Sequence, residues 1–215
     1  MIFITDGLFF FDVQLSPSYP KQPPKFHYHS YSQRLNPNLY VEGKVCVSLL
    51  GTWSGQGSEN WDSSNSNLLQ VLISIQGLIL VNEPYFNEPG YAGQKGTQAG
   101  RKSSRRYNEM VLLENLASLT RLAENPPPLF HNEVREHLNE RWHILAKRLE
   151  NWAEECKTGK ETLVESDNSK SMPDFPLAPV SSQFSSTLKR SLETFERAVE
   201  KLVSTDVLSK KDNKS

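Results

Sequence analysis

The sequence predicts an α+β fold in which a short antiparallel meander packs against helices, and three observations carry that prediction. Residues 8–15 alternate between apolar and polar. Residues 25–29 can return as a second strand after a proline-stiffened loop. From Asn67 onward, apolar residues recur at steps of three and four in successive stretches, the period of a helix with one face inward. The chain has 215 residues, 37% hydrophobic and 10% aromatic, which allows one domain with a buried core and an appendage.

The elements follow in order. Phe9, Phe11, Val13 and Leu15 share one strand face, which is expected to be well buried, and Gly7 suits the turn before it. Pro17, Pro20, Pro23 and Pro24 forbid regular pairing, so residues 16–24 form a stiff loop. Asn36-Pro37-Asn38 is a turn signal, and Val45 to Leu50 is short, apolar and extended. Residues 51–67 are polar, yet Trp53 and Trp61 argue for an ordered loop. Leu68, Leu69, Val71, Leu72, Ile75, Leu78 and Ile79 make a helix over residues 67–80 that is buried on most sides, with Ser64 or Ser66 as its cap. The Gly-rich stretch 90–100 reads as exposed. Helices are expected over residues 107–122, stopped by Pro126-Pro127-Pro128, and over residues 130–152.

Composition changes near Lys157, which sets the expected organisation: a core over residues 1–155, a polar disordered linker over 156–186, and an amphipathic helix with a charged tail over 187–215. Leu188, Leu192, Phe195, Val199 and Leu202 form the stripe of that last helix, which either docks on the core or binds a partner.

The formal net charge of −1 argues against nucleic acid as a partner. The basic pairs Arg101-Lys102 and Arg105-Arg106 read as a solvated face. No apolar run is long enough to span a membrane, and no signal peptide opens the chain. The two cysteines, Cys46 and Cys156, are then expected as free thiols in a reducing compartment, cytosol or nucleus. Neither a cofactor nor a metal is expected.

Taken alone, Cys46 in Val45-Cys46-Val47 is either a core thiol or a nucleophile. The run from Asn36 to Cys46, Asn-Pro-Asn-Leu-Tyr-Val-Glu-Gly-Lys-Val-Cys, resembles the active-site signature of ubiquitin-conjugating enzymes, including the interval from the turn's second asparagine, Asn38, to the cysteine. Gly7 to Asp12 resembles the second strand of that family. Tyr19-Pro20-Lys21-Gln22-Pro23-Pro24-Lys25 resembles its tyrosine-proline loop. Trp61, the helix 68–80 and the turn 82–89 follow in family order, so similarity covers residues 7–152. Gly51-Thr52-Trp53-Ser54-Gly55 and Pro84 to Tyr91 resemble a large subclass that includes animal O-type enzymes and plant enzymes of phosphate homeostasis.

The resemblance implies the family's fold and its thioester chemistry. Ubiquitin, delivered by an ATP-dependent activating enzyme, would pass to Cys46 and then to a lysine of a substrate protein, with or without a ligase. Asn38 would stabilise the oxyanion or hold the loop that shapes the site. Glu88 would orient the lysine and help deprotonate it. No histidine neighbours Cys46 in sequence, so His27, His29, His131, His137 and His143 read as structural or solvated. Asn36 stands where the family usually has histidine, and Lys21 where a ligase-contacting phenylalanine is common. Residues 1–6 are too few for the family's first helix, which docks the activating enzyme, and its first strand. A shortened enzyme is therefore expected, or alternatively a non-catalytic ubiquitin-binding or decoy module.

Overall fold

A computed structural model describes residues 7–53, 59–155 and 182–212. Expectations for residues 1–6, for Cys156 and for the polar stretch 156–181 lie outside the described residues.

Strand β1, Phe11–Gln14, pairs antiparallel with β2, Lys25–Tyr28, with Phe11 opposite Tyr28 and Gln14 opposite Lys25. Single bridges His27 to Lys44 and Leu39 to Val45 extend the meander towards the cysteine. The strand is shorter than the alternation predicts, and its expected buried face is corrected: Val13 is 43% and Leu15 50% exposed. Only the Phe9–Phe11 end meets other elements, through Tyr28 and Phe130. Alternation reports that one face could be covered, and here the cover stops half-way along.

Helix α1, Leu68–Ser74, begins at Asn67, not at Ser64 or Ser66. The Asn67 side chain accepts from the Gln70 N–H, and Gln70 Oε1 accepts from the Asn67 N–H, a reciprocal cap. The helix widens into a π-turn, Ile75–Ile79, closed by the Leu80 N–H donating to Ile75 O at 2.9 Å. Val71, Ile75 and Ile79 are buried, but Leu69, Leu72, Ile73 and Leu78 are exposed. The expectation of burial on most sides is therefore wrong: this helix lays a narrow stripe on the core and leaves a broad apolar face outward.

Helix α2, Gln98–Glu124, starts nine residues before the apolar period does. Its first turns pack through small and polar groups. Gly100 lies against the Gln94 carbonyl, Ser104 Oγ bonds Glu83 Oε1 at 3.1 Å, and Asn108 Nδ2 donates to Asn82 O at 3.1 Å. Helix α3, His131–Glu155, follows the triple proline. Helix α4, Ser182–Asp212, begins earlier than residue 187 and docks on α2 and α3.

Two cores result. Leu112, Leu116, Leu119, Val134, Leu138, Leu149, Leu188, Phe195 and Val199 form the helical one. Tyr28, Leu39, Val45, Val47, Val71, Ile75 and Ile79 form the second, directly behind the cysteine. Phe9 touches both. No helix of the described residues is long and apolar enough to cross a membrane.

Candidate active site

The turn before Cys46 is built by one glycine. The Gly43 N–H donates to Tyr40 O, and the Tyr40 N–H to Lys44 O, both at 3.0 Å. Gly43 sits at φ +94°, and the His27 ring lies against its Cα, where a Cβ would have no room. This turn reverses the chain so that the Cys46 N–H reaches Asn38 O at 2.9 Å.

The side chain of Asn38 completes the loop: its Nδ2 donates to Cys46 O at 2.8 Å. Cys46 is thus held through its backbone at both ends by one residue, the loop-holding geometry. Thr52, which the sequence reading did not single out, holds the neighbours on either side. Its Oγ1 accepts from the Val47 N–H at 2.9 Å and donates to Val45 O at 2.6 Å. A hydroxyl six residues downstream carries no sequence signal; only the folding-back of the Ser48–Leu50 3-10 turn through Gly51, at φ +66°, brings it round.

Asn36 is buried and ties the loop to α1. Its Nδ2 donates to Ile79 O at 2.7 Å and its Oδ1 accepts from the Asn38 N–H at 2.8 Å. Asn87 Nδ2 donates to Leu78 O at 2.9 Å. Carbonyls left over at the end of a helix need outside donors. Two asparagine amides supply them here, so the π-turn is tied to the cysteine loop through Asn36 and to the 84–87 turn through Asn87.

Cys46 is only 3% exposed, and it lines a cleft of about 660 Å³ with Asn38, Trp53, Glu59, Asp62, Gln70, Ile73 and Leu78. The acids in the cleft wall are Glu59 and Asp62. Asp62 accepts from the Ser64 N–H at 2.9 Å and from Asn65 Nδ2 at 2.6 Å, which hold its carboxyl below the ordinary value. Trp61 fastens this wall to the proline loop by donating from Nε1 to Pro20 O at 2.7 Å.

Glu88 is not among the residues that line this cleft. It faces Arg34 at 4.0 Å, and Arg34 sits over the Tyr40 ring at 4.9 Å. Tyr40 lies beside the Cys46 side chain. The neighbouring Cys46 side chain and burial raise the Tyr40 pKa, and Arg34 opposes the rise. The structure therefore brings Asn38 and Cys46 together, while Glu88 is linked to them only through Arg34 and Tyr40. Tyr40 and Arg34 were not predicted; a tyrosine two residues after a turn looks like ordinary packing until the thiol is beside it.

A buried thiol framed through its backbone, at a cleft of mixed polar and apolar lining with two acids in its wall, suits acyl transfer between a thiol and an amine. The sequence model of the family described as "Ubiquitin-conjugating enzyme" matches residues 3–114, more than half of the chain. The chain belongs to the ubiquitin-conjugating enzyme family. Among relatives, the chain is 51% identical over 142 residues to the Arabidopsis thaliana "Probable ubiquitin-conjugating enzyme E2 23", covering 66% of this chain and 13% of that protein. It is 49% identical over 142 residues to the Arabidopsis thaliana "Probable ubiquitin-conjugating enzyme E2 26", covering 66% and 26%. It is 40% identical over 151 residues to the human "Dual E2 ubiquitin-conjugating enzyme/E3 ubiquitin-protein ligase BIRC6", covering 68% and 3%. The chain thus spans about a quarter or less of the length of each of these relatives. The α+β ubiquitin-conjugating fold expected from the motifs is the fold of this family, and the two strands and the helices are consistent with it.

Proposed function

We propose that this chain is a ubiquitin-conjugating transferase with Cys46 as the thioester carrier. The Cys46 thiolate attacks the carbonyl of ubiquitin's thioester on the activating enzyme. The tetrahedral oxyanion collapses and expels the activating enzyme's thiolate. A neutral lysine amine of the acceptor protein then attacks the Cys46 thioester. The amide forms, Cys46 leaves as thiolate, and the amine sheds one proton. Thiol-to-thiol exchange asks little of an acid or base. The second step must draw a lysine, with an ordinary pKa of about 10.4, into its neutral form.

The observation that carries this reading is the hydrogen-bonded frame of Asn38 and Thr52 around Cys46 at the cleft. A thiol serving only as core filler needs no such frame. Asn38 serves as loop holder, with its second amide N–H left to meet the oxyanion; one such donor is worth about 3 kcal/mol. Glu88 and the cleft acids Glu59 and Asp62 attract the lysine ammonium and accept its proton. Likeness to plant relatives and to the dual enzyme supports the large subclass, and the chemistry belongs in the cytosol or nucleus, with ubiquitin, an activating enzyme, substrate proteins and a ligase as partners.

The test is charging. The protein incubated with activating enzyme, ubiquitin and ATP gives a thiol-sensitive adduct on a non-reducing gel. Cys46→Ser gives a thiol-resistant ester, and Cys46→Ala gives no adduct. A thiol-sensitive adduct on Cys46→Ala sinks the site. No adduct on the unaltered chain sinks the transferase reading in favour of a ubiquitin-binding module.

A further inference from the structure

We propose that Arg34 is a positioning residue for the transfer step: it holds the Glu88 carboxylate against the cysteine loop and offsets its charge, so that the acceptor lysine meets the thioester as a neutral amine. The proposal rests on the transferase reading and says how that site controls the protonation of its acceptor.

Arg34 lies on the stretch that leads into Asn36-Pro37-Asn38. Three contacts place its guanidinium. Nη2 donates to Pro37 O at 3.2 Å, the same nitrogen comes within 4.0 Å of Glu88 Oε2, and Cζ stands 4.9 Å from the centre of the Tyr40 ring. Its backbone N–H is held by Glu114 of α2. A planar guanidinium suits this setting, since its edge serves oxygens while its face serves a ring. The side chains of Arg34 and Glu88 are 45% and 44% exposed, so both charges are open to an incoming amine. An exposed pair of this kind adds little to folding stability. Its field near the thiol is the larger consequence.

Tyr40 senses that field. It lies beside the Cys46 side chain, and there Arg34 lowers its pKa while Glu88 raises it. Tyr107 on α2 responds to the same two charges with the same signs, and Glu114 adds to the effect of Glu88. Lys44 also stands over the Tyr40 ring, at 5.5 Å, but Arg34 is the cation that meets Glu88. An uncompensated Glu88 would draw the acceptor in as an ammonium, which has no lone pair to attack with. Beside Arg34 that attraction is offset. The amine's lone pair attacks the thioester carbonyl, the C–N bond forms and the C–S bond breaks. Cys46 leaves as thiolate, and the surplus proton on nitrogen passes through Glu88 to water. Removing one unit charge several ångströms from the amine, in a site open to water, shifts its protonation by about half a pH unit, or about threefold in the neutral fraction.

The test uses the full chain and N-acetyl-lysine amide, an acceptor with a single amine. In single-turnover discharge from loaded Cys46 at neutral pH, Arg34→Met lowers the maximal rate and the half-saturating acceptor concentration together, each about threefold, because the unreactive ammonium now binds better. The pH profile of discharge moves up by about half a unit. Arg34→Lys, which keeps the charge, restores both. Discharge to hydroxylamine, an amine uncharged at neutral pH, shows neither the fall in half-saturating concentration nor the shift in profile. Binding of the same acceptor to unloaded protein, followed by the carbon NMR resonance of the Glu88 side chain, tightens about threefold in Arg34→Met. That measurement needs no thioester, so failure of Cys46 to load would count against the transferase reading alone. A half-saturating concentration that stays or rises, an unmoved pH profile, the same changes with hydroxylamine, or unaltered binding to unloaded protein overturns the proposal.

Discussion

Thr52 shows how much one hydroxyl can organise. It closes hydrogen bonds to both neighbours of Cys46, so Thr52→Val removes two partners while keeping the volume. Leaving a buried donor and acceptor unpaired costs about 2 kcal/mol. We expect slower transfer from Cys46 in Thr52→Val and recovery in Thr52→Ser, measured by single-turnover discharge to lysine. Unchanged rates in Thr52→Val would mean that the frame holds without it. Glu114 poses a different question. It accepts the Arg34 backbone N–H, but its Oε2 is buried without a hydrogen-bond partner, and burial raises its pKa. A carboxyl whose pKa is higher folded than unfolded favours the fold when protonated and loses that contribution as pH rises through the folded value. Glu114→Gln should therefore raise the thermal midpoint at neutral pH, with the gain vanishing as pH falls through the carboxylate range. A midpoint that drops at neutral pH would contradict this. At this scale Cys46 and Asn38 were legible because a fixed interval encodes the turn that joins them. Thr52 and Tyr40 were not, because their roles depend on distances across a fold rather than along a chain.

Helix α1 is where pattern and packing part company. Seven apolar residues predicted burial, yet Leu69, Leu72, Ile73 and Leu78 face outward, and Ile73 and Leu78 line the cysteine cleft. An exposed apolar face of this kind on a small domain marks a binding surface. On the proposed transferase reading, ubiquitin carried on Cys46 would be the macromolecule tethered beside it. Ile73→Glu should leave charging intact and slow transfer to lysine about tenfold, read in separate charging and discharge assays. A charging defect of equal size would place the activating enzyme on this face instead. Periodicity located the helix and its phase; it could not report how many sides other elements would cover. In α2 the opposite happened, since its first turns pack through Gly100, Ser104 and Asn108, which leave no apolar period to read.

Across the whole molecule, the helical core and the core behind the cysteine meet at Phe9 but are otherwise separate clusters. Phe195 on α4 is fully buried among α2 and α3. Phe195→Ala should destabilise by about 3–5 kcal/mol. Hydrogen exchange should show α4 amides opening first, while Cys46 still charges at the wild-type rate. Loss of charging in step with α4 would show that the two cores act as one. The sequence by itself determined the family, the α+β class, the helix phases and the cysteine with its asparagine, because these rest on local periodicity and on one turn of set length. Only the tertiary structure decided which apolar faces stay open, that α4 docks, that Thr52, Tyr40 and Asn36 frame the site, and that Arg34 links Glu88 to Tyr40 beside the thiol. Each of these depends on residues far apart in sequence sharing a few ångströms, and burial and hydrogen bonding are set by that proximity.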